Sequence, residues 1–458
     1  MSLSISRQMA RFALDLKYED LPADVITEVK RYLYDSIGCA FGGYYSRDVQ
    51  SILKIYQHME GIPEATILVS GAQMPALHVT LINSLAIRAL DFNDIYWKED
   101  PSHPSDLIPA ALSAGEMMGS TMQEVIVAIV LAYEFEQRMC EFAVPGVRER
   151  KWHHATLTQF VAPIVAGRLL QLTEDQLVNA IGISGSHSHT IGCPTAGMLT
   201  MMKNTVDPLA VQAGLFAALM ARENYTGTEE VFEGKEGFMD VFGPDWDVDK
   251  LVGGLGENFK ILQCSMKAFP TEALTHTHIS AAMQVVKEHG IEPEDIEEVR
   301  ITTLARAVDI LFDPHKYNPT SRETADHSLP YCVARAIIDG RITPQSFDDE
   351  ALFDPRLKTL IHKIKGEASD EFEKMFPEKQ PSKVVIRTTK GAEHEVYLEY
   401  PKGDPREPMT DEDLDNKFYG LTEAHLSDEG RARIKESIWE CENLPGVGRF
   451  MAGMVADR

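Results

Sequence analysis

The sequence predicts a mostly α protein, with a large all-α helical domain (residues 1–265 plus 403–458) interrupted by a smaller α+β domain (266–402). Three observations lead there. Up to about Phe259 the apolar residues recur at three- and four-residue steps, the period of a helix buried on one face or on all. Beyond about Met266, alternating stretches appear between the helices. A chain of 458 residues is also longer than one core usually organises.

The first helix is expected over Ala23–Phe41, where Val25, Ile26, Val29, Tyr32, Leu33 and Ile37 form the stripe and Gly42–Gly43 end it. Leu77–Leu90, Ala110–Met118, Met122–Phe142 and His154–Leu170 repeat the period. Glu174–Ser184 opens on a capping box from Thr173 to Gln176. Pro208–Glu223 and Thr228–Phe242 complete the helical part, with Asp207 as N-cap and Pro208 at the first helical position. In the second texture, helices are expected at Thr271–His289, Tyr331–Asp339 and Pro355–Ile364. The alternation of Ile296–Leu304 reads as a strand, and Lys383–Thr389 with His394–Tyr400 as a hairpin. Helices at Asp411–Tyr419 and Ser427–Trp439 close the chain and are expected to rejoin the larger domain.

Composition removes several functions. The formal net charge of −26 disfavours nucleic acid and anionic membrane as partners. It also requires that the cations contacting any anionic substrate be concentrated locally. No apolar run reaches the roughly 20 residues that span a bilayer. The N-terminus MSLSISRQMARFALDLKYED lacks a signal-peptide stretch, so a cytoplasmic location is expected. The six cysteines lie far apart with no CxxC, which removes zinc ribbons and thioredoxin-like sites. No metal and no cofactor is expected.

Chemistry-bearing residues gather in five segments. In Arg88–Ala114 a helix ends at Asp91-Phe92-Asn93-Asp94, a polar loop follows, and His103-Pro104-Ser105-Asp106 opens the next helix. Asp91 and His103 are then free to meet, and an aspartate commonly fixes a histidine's tautomer. Arg150–Thr156 carries His153 and His154, whose side chains leave a helix roughly 100° apart, so only one is expected to face a given site. Gly192–Pro208 presents Lys203 ahead of the expected helix start, a position that favours anions. Lys267–Glu272 runs into His276 and His278, two apart and so not on one helix face. Asp326–Tyr331 opens another helix. For each segment, capping and loop solvation are the plain alternative. Together they suit proton transfer beside carboxylates, and neither hydride nor phosphoryl transfer.

Taken in order, LDFND…HPSD, KWHH, TMMKNTVDPLAVQAG, KAFPTE…TH, DHSLPY and EYPKGDP resemble the MmgE/PrpD family of 2-methylcitrate dehydratases and cis-aconitate decarboxylases. The resemblance runs from about residue 5 to 440. It implies a helical domain with a smaller lid-like α+β domain, a homodimer, a metal-independent site between the two parts, and a polycarboxylate as the small-molecule partner. Carried over by position, the site residues are Asp91, His103, His153, Lys203, His276 and Tyr331. Two departures stand out: Ile95 occupies a position where the family often has threonine, and the stretch from Asp91 to His103 is longer than in decarboxylase-like members.

The expected reaction is dehydration of 2-methylcitrate or citrate, as in propionate catabolism. Lys203 and the helix start at Asp207 would hold a carboxylate, worth about 3–4 kcal/mol in the transition state. His103 and His153 would share the base and acid roles, with Asp91 orienting His103. His276 and Tyr331 would complete the site from the other domain. The alternatives are cis-aconitate decarboxylation, epimerisation of a dicarboxylate, and a helical scaffold without catalysis.

Overall fold

The structure, a computed structural model, describes residues 3–59, 61–197, 199–243 and 245–458. It is mostly helical. The helices that matter for the site are α1 (Ala23–Gly43), α2 (Ala76–Arg88), α3 (Ile108–Met118), α4 (Met122–Phe142), α5 (Ala155–Leu169), α6 (Glu174–Gly185) and α7 (Met202–Arg222), then α8 (His276–His289), α9 (Leu329–Asp339) and α10 (Asp411–Thr422). Capping boxes start α4 at Thr121/Glu124 and α6 at Thr173/Gln176, each satisfying two backbone donors that the helix leaves free.

Among the described residues two large apolar cores stand beside a small cluster of Ala155, Val206 and Ala210. One gathers buried side chains from Ile5 through Met266 and again from Met409 through Met454. The other draws only on Leu274 through Val396. In the first, α5 is buried almost all round, consistent with its nearly uniform apolar sequence, and it packs against α4, α6 and α7. The crossing with α7 is close because Gly214 faces Ala162: a Cβ there would come within 2.3 Å of the Ala162 Cβ.

The second core covers a four-stranded sheet made of β4 (Ile296–Thr303), β5 (Ile364–Ala368), β6 (Ser382–Thr388) and β7 (Glu393–Leu398), in the order β5-β4-β6-β7. Only the β4/β5 pair is parallel. Alternate residues Val384 and Ile386 of β6 point into the core, and α8 packs across β6 and β7 and against α9. No helix among the described residues is long and apolar enough to cross a membrane.

Four sequence expectations need correcting. The stretch Thr228–Phe242 is helical only over Phe238–Phe242, because Gly234 and Gly237 sit in turns against the backbone oxygens of Glu230 and Phe232. Pro355–Ile364 is α-helical to Leu360 and 3-10 helical to Lys363, and Ile364 begins β5, a strand too polar to read from its sequence. The segment after Asp91 is not a plain loop. β1 (Asp94–Trp97) folds back on β2 (Pro101–Ser102) and also pairs with β3 (Ser265–Met266). Finally, α7 starts at Met202, with Pro208 inside it. Its first turn is tightened by bonds from Lys203 N–H to Thr200 O (3.0 Å) and from Asn204 N–H to Met201 O (3.1 Å). Lys203 therefore lies within the first turn, and Asp207 is not a cap.

One buried lysine of α10 holds two of these segments in place. The Lys417 ammonium donates to the carbonyls of Phe92 (2.6 Å) and Lys267 (2.9 Å) and pairs with Asp35 of α1 at 2.6 Å. It thereby ties the segment after α2 to the one entering the second core. Removing one partner of such a buried pair leaves the other charge uncompensated. Lys417→Ala is expected to lower unfolding stability by about 3–5 kcal/mol. Denaturant melts read this, and a loss below about 1 kcal/mol would contradict the clasp.

Candidate active site

At the end of α2 the chain turns sharply. Asp91 sits at φ +50°, in the left-handed region that aspartate tolerates better than most residues. Its buried carboxylate is met by three cations. Lys203 of α7 lies 2.9 Å from Oδ2, Lys267 lies 2.8 Å from Oδ1, and Arg88 also pairs with Oδ1. Lys267 is itself fixed by the carbonyls of Asp91 (3.1 Å) and Thr271 (3.0 Å). Burial alone would raise the Asp91 carboxyl, but Lys203, Lys267 and Arg88 overcome it and hold it well below the usual range.

The next carboxyl does not balance these cations. Asp106 lies 3.6 Å from Arg88, yet burial outweighs the arginine and pushes its carboxyl well above the usual range, helped by Asp207, Asp94 and Glu136. Three cations thus meet one firmly ionised carboxylate, the other ionised acid of the neighbourhood, Asp207, being placed against His154. On a strongly acidic protein this is a local excess of positive charge, placed where an anion can be held.

These groups line a small cavity of about 60 Å³ together with His103, His154, Glu272 and His327. Its histidines are set by their neighbours. The nitrogen Nδ1 of His103 lies 2.6 Å from the backbone carbonyl of Asp94. A carbonyl only accepts, so Nδ1 carries the proton and Nε2 keeps its lone pair. The Asp94 carboxylate takes the Ser105 N–H (3.0 Å) and hydroxyl (2.6 Å), which anchors the turn after His103. The orienting group of His103 is thus the Asp94 carbonyl, not the expected Asp91. Burial, reinforced by Arg88, Lys267 and His154, holds the His103 imidazole far below its ordinary value.

His154, rather than His153, lines the cavity, with its ring centroid 5.7 Å from that of His103. His153 lies behind it: its Nδ1 accepts the Ala155 N–H at 3.0 Å and its ring packs on His154. His154 Nε2 is 3.3 Å from Asp207 Oδ1. Although burial opposes it, His154, His153 and Arg88 pull the Asp207 carboxyl far down. The ligand atoms of His153, His154 and Asp207 lie within 4.8 Å of one another, so this is the group among the described residues that could hold a metal ion. The Ala155 contact fixes the His153 proton on Nε2, so that nitrogen would have to lose it first.

Across the cavity, Glu272 and His327 come from segments built around the second core. His327 Nδ1 is 2.5 Å from Asp326 Oδ1, so the aspartate orients the ring. Glu272 accepts the Leu274 N–H at 2.7 Å, and burial raises its carboxyl against the opposing pull of His327 and Lys267.

Of the six residues expected from sequence, Asp91, His103 and Lys203 line this cavity and His153, His276 and Tyr331 do not. His276 starts α8, and its ring lies 5.4 Å from Phe269 on a neighbouring cavity with Tyr96, Gln263 and Arg406, which shares Ile95, Trp97, Lys267 and Ala273 with the small one. Tyr331 is fully buried in the second core and its hydroxyl donates to Ser346 O at 2.7 Å. The residues that reach the cavity instead lie in the same segments, four positions earlier (Glu272, His327) or one later (His154). Arg88 and Lys267, also missed, border motifs already singled out. The usable signal was position: His103, His154, Lys203, Glu272 and His327 all stand at or just before helix starts.

The His103 geometry has a spectroscopic consequence. Side-chain ¹⁵N shifts are expected to show a neutral, Nδ1-protonated ring at the ordinary histidine midpoint of about 6.5, where a free imidazole is half charged. A titration midpoint near or above 6.5 would contradict it.

Comparison with known proteins agrees with this picture. The MmgE/PrpD N-terminal domain matches residues 7–250 and the MmgE/PrpD C-terminal domain matches residues 269–443. Among the relatives, a cis-aconitate decarboxylase of Aspergillus terreus is 24% identical over 95% of this chain and 92% of its own length. The Homo sapiens cis-aconitate decarboxylase is 24% identical over 93% and 89%, and a 2-methylcitrate dehydratase of Salmonella typhi is 26% identical over 82% and 81%. With the N-terminal match alone covering more than half of the sequence, this chain belongs to the MmgE/PrpD family.

Proposed function

We propose that this protein is a lyase that dehydrates a citrate-like tricarboxylate by acid–base chemistry of its own side chains. The observation that carries the reading is the gathering of Arg88, Lys203 and Lys267 around the single ionised carboxylate of Asp91, beside a neutral His103. The 2-methylcitrate dehydratase relatives support the choice of reaction.

In this reading a substrate carboxylate binds the cation cluster, where charge developing on it in the transition state is stabilised. His103 Nε2 removes the proton from the carbon next to that carboxylate. The electron pair forms the C=C bond and expels the β-hydroxyl, which leaves as water after taking a proton from the opposite bank. Glu272 and the Asp326-oriented His327 are the donors there, in place of the sharing of base and acid roles between His103 and His153 that the sequence suggests. Residues 266–402 act as the inserted domain that brings these donors up to the site. Residues 1–265 plus 403–458 form the larger domain and supply Asp91, His103 and Lys203. Lys267 stands at the seam.

A second reading has its own support, because the cis-aconitate decarboxylase relatives match a larger share of the chain. There the C–C bond to a carboxylate breaks, CO₂ departs, and a histidine or Glu272 returns a proton to carbon.

Mass spectrometry of the products separates the two: dehydration of 2-methylcitrate removes one water, and decarboxylation of cis-aconitate removes one CO₂. Under the proposal, Lys203→Met lowers kcat by roughly 10²–10³. His103→Gln lowers it by roughly 10²–10⁴, with the melting temperature kept. Turnover within threefold of the parent in both folded variants would overturn the assignment.

A further inference from the structure

We propose that Arg148 and Lys316 form a second carboxylate subsite, which selects substrates whose carboxylates extend beyond the one held beside Asp91. The inference rests on the polycarboxylate reading above. It begins with a larger cavity of about 770 Å³ that adjoins the small one and shares Trp97, Arg148, Thr195, Ile310 and His327 with it. A substrate anchored at Lys203 would extend into this space.

Of the cations lining the larger cavity, Lys151 is exposed and Arg306 is already paired with Glu373 at 2.8 Å. Arg148 and Lys316 are different. Lys316 is only 4% exposed, yet among the described residues its ammonium has no hydrogen-bond or ion-pair partner. Its backbone is held rigidly: the carbonyl accepts the Ser328 hydroxyl at 2.6 Å and the N–H donates to Asp313 O at 2.8 Å. Three acids act on it, Asp326, Asp313 and Glu272; Asp326 is already engaged by His327, and none of the three forms an ion pair with it. An ammonium that lines the cavity without a partner is open to a charge-assisted contact from an anion entering it.

The Arg148 guanidinium likewise has no carboxylate partner among the described residues and lies 5.6 Å from the centre of the Trp97 ring. Its backbone is fixed by Asp100, whose buried carboxylate accepts the N–H groups of Val147 (2.7 Å) and Arg148 (2.9 Å). The planar fork of an arginine held this way suits two-point contact with a carboxylate. The cavity wall also carries Glu99, Glu149, Asp309 and Asp313; Glu149 and Asp309 are exposed, where solvent screens them, Glu99 and Asp313 are half-buried, and none of the four forms an ion pair with Arg148 or Lys316.

Calorimetric titration with two unreactive acids tests the subsite. Tricarballylate carries three carboxylates, and 2-methylsuccinate is the same skeleton with one terminal carboxylate removed. The parent protein is expected to bind tricarballylate at least tenfold more tightly. Lys316→Met and Arg148→Met, checked for an unchanged melting temperature, are each expected to erase most of that preference while leaving 2-methylsuccinate affinity within about twofold. Retention of the full preference in both variants, or equal loss for both acids, overturns the subsite. Tight tricarballylate binding without turnover of any hydroxy acid would instead overturn the proposed reaction and leave the subsite standing. A parent protein that binds neither acid would overturn both.

Discussion

Everything in the site is arranged around one carboxylate. Asp91 is the common partner of Arg88, Lys203 and Lys267, which arrive from the end of α2, the first turn of α7 and the strand that leads into the second core. Without it, three buried cations would repel one another at close range. With it they are held together but not neutralised, because Asp106 is kept from sharing the load. The left-handed backbone at Asp91 belongs to the same device, since it lets one residue offer both its carboxylate and its carbonyl to Lys267.

Around that centre, backbone carbonyls do much of the positioning. The Asp94 carbonyl sets the tautomer of His103, and those of Phe92 and Lys267 are gripped by Lys417. Buried acids fix the loops: Asp94 holds Ser105, and Asp100, its carboxyl pushed up to about 6 by burial, holds the Val147–Arg148 turn. The neutral imidazole of His103 and hydrogen-bonded carboxyls keep the neighbourhood from accumulating further charge. This is how an acidic chain of net charge −26 maintains a positive pocket.

Much of the helical architecture was legible because periodicity and caps report local structure. α4 spans Met122–Phe142 as its period predicts, and α6 begins where Thr173 predicts. Periodicity failed where tertiary pairing decides, as for β5, whose exposed residues acquire their conformation only by pairing with β4. The site shows the same division. Asp91, His103 and Lys203 were found because their types and loop positions are informative. His154, Glu272 and His327 were not, because deciding between neighbours one to four positions apart requires knowing where the helix begins. His276 and Tyr331 lie inside helices and are turned into other surroundings, whereas the residues just ahead of those helices are the ones that reach the cavity.

The account stands or falls on where an anion binds. A crystal structure of the protein with tricarballylate is the most direct measurement. The account predicts one carboxylate within hydrogen-bonding distance of Lys203 Nζ, with the adjoining carbon facing His103 Nε2. A ligand bound elsewhere, with the cations around Asp91 untouched, would contradict it.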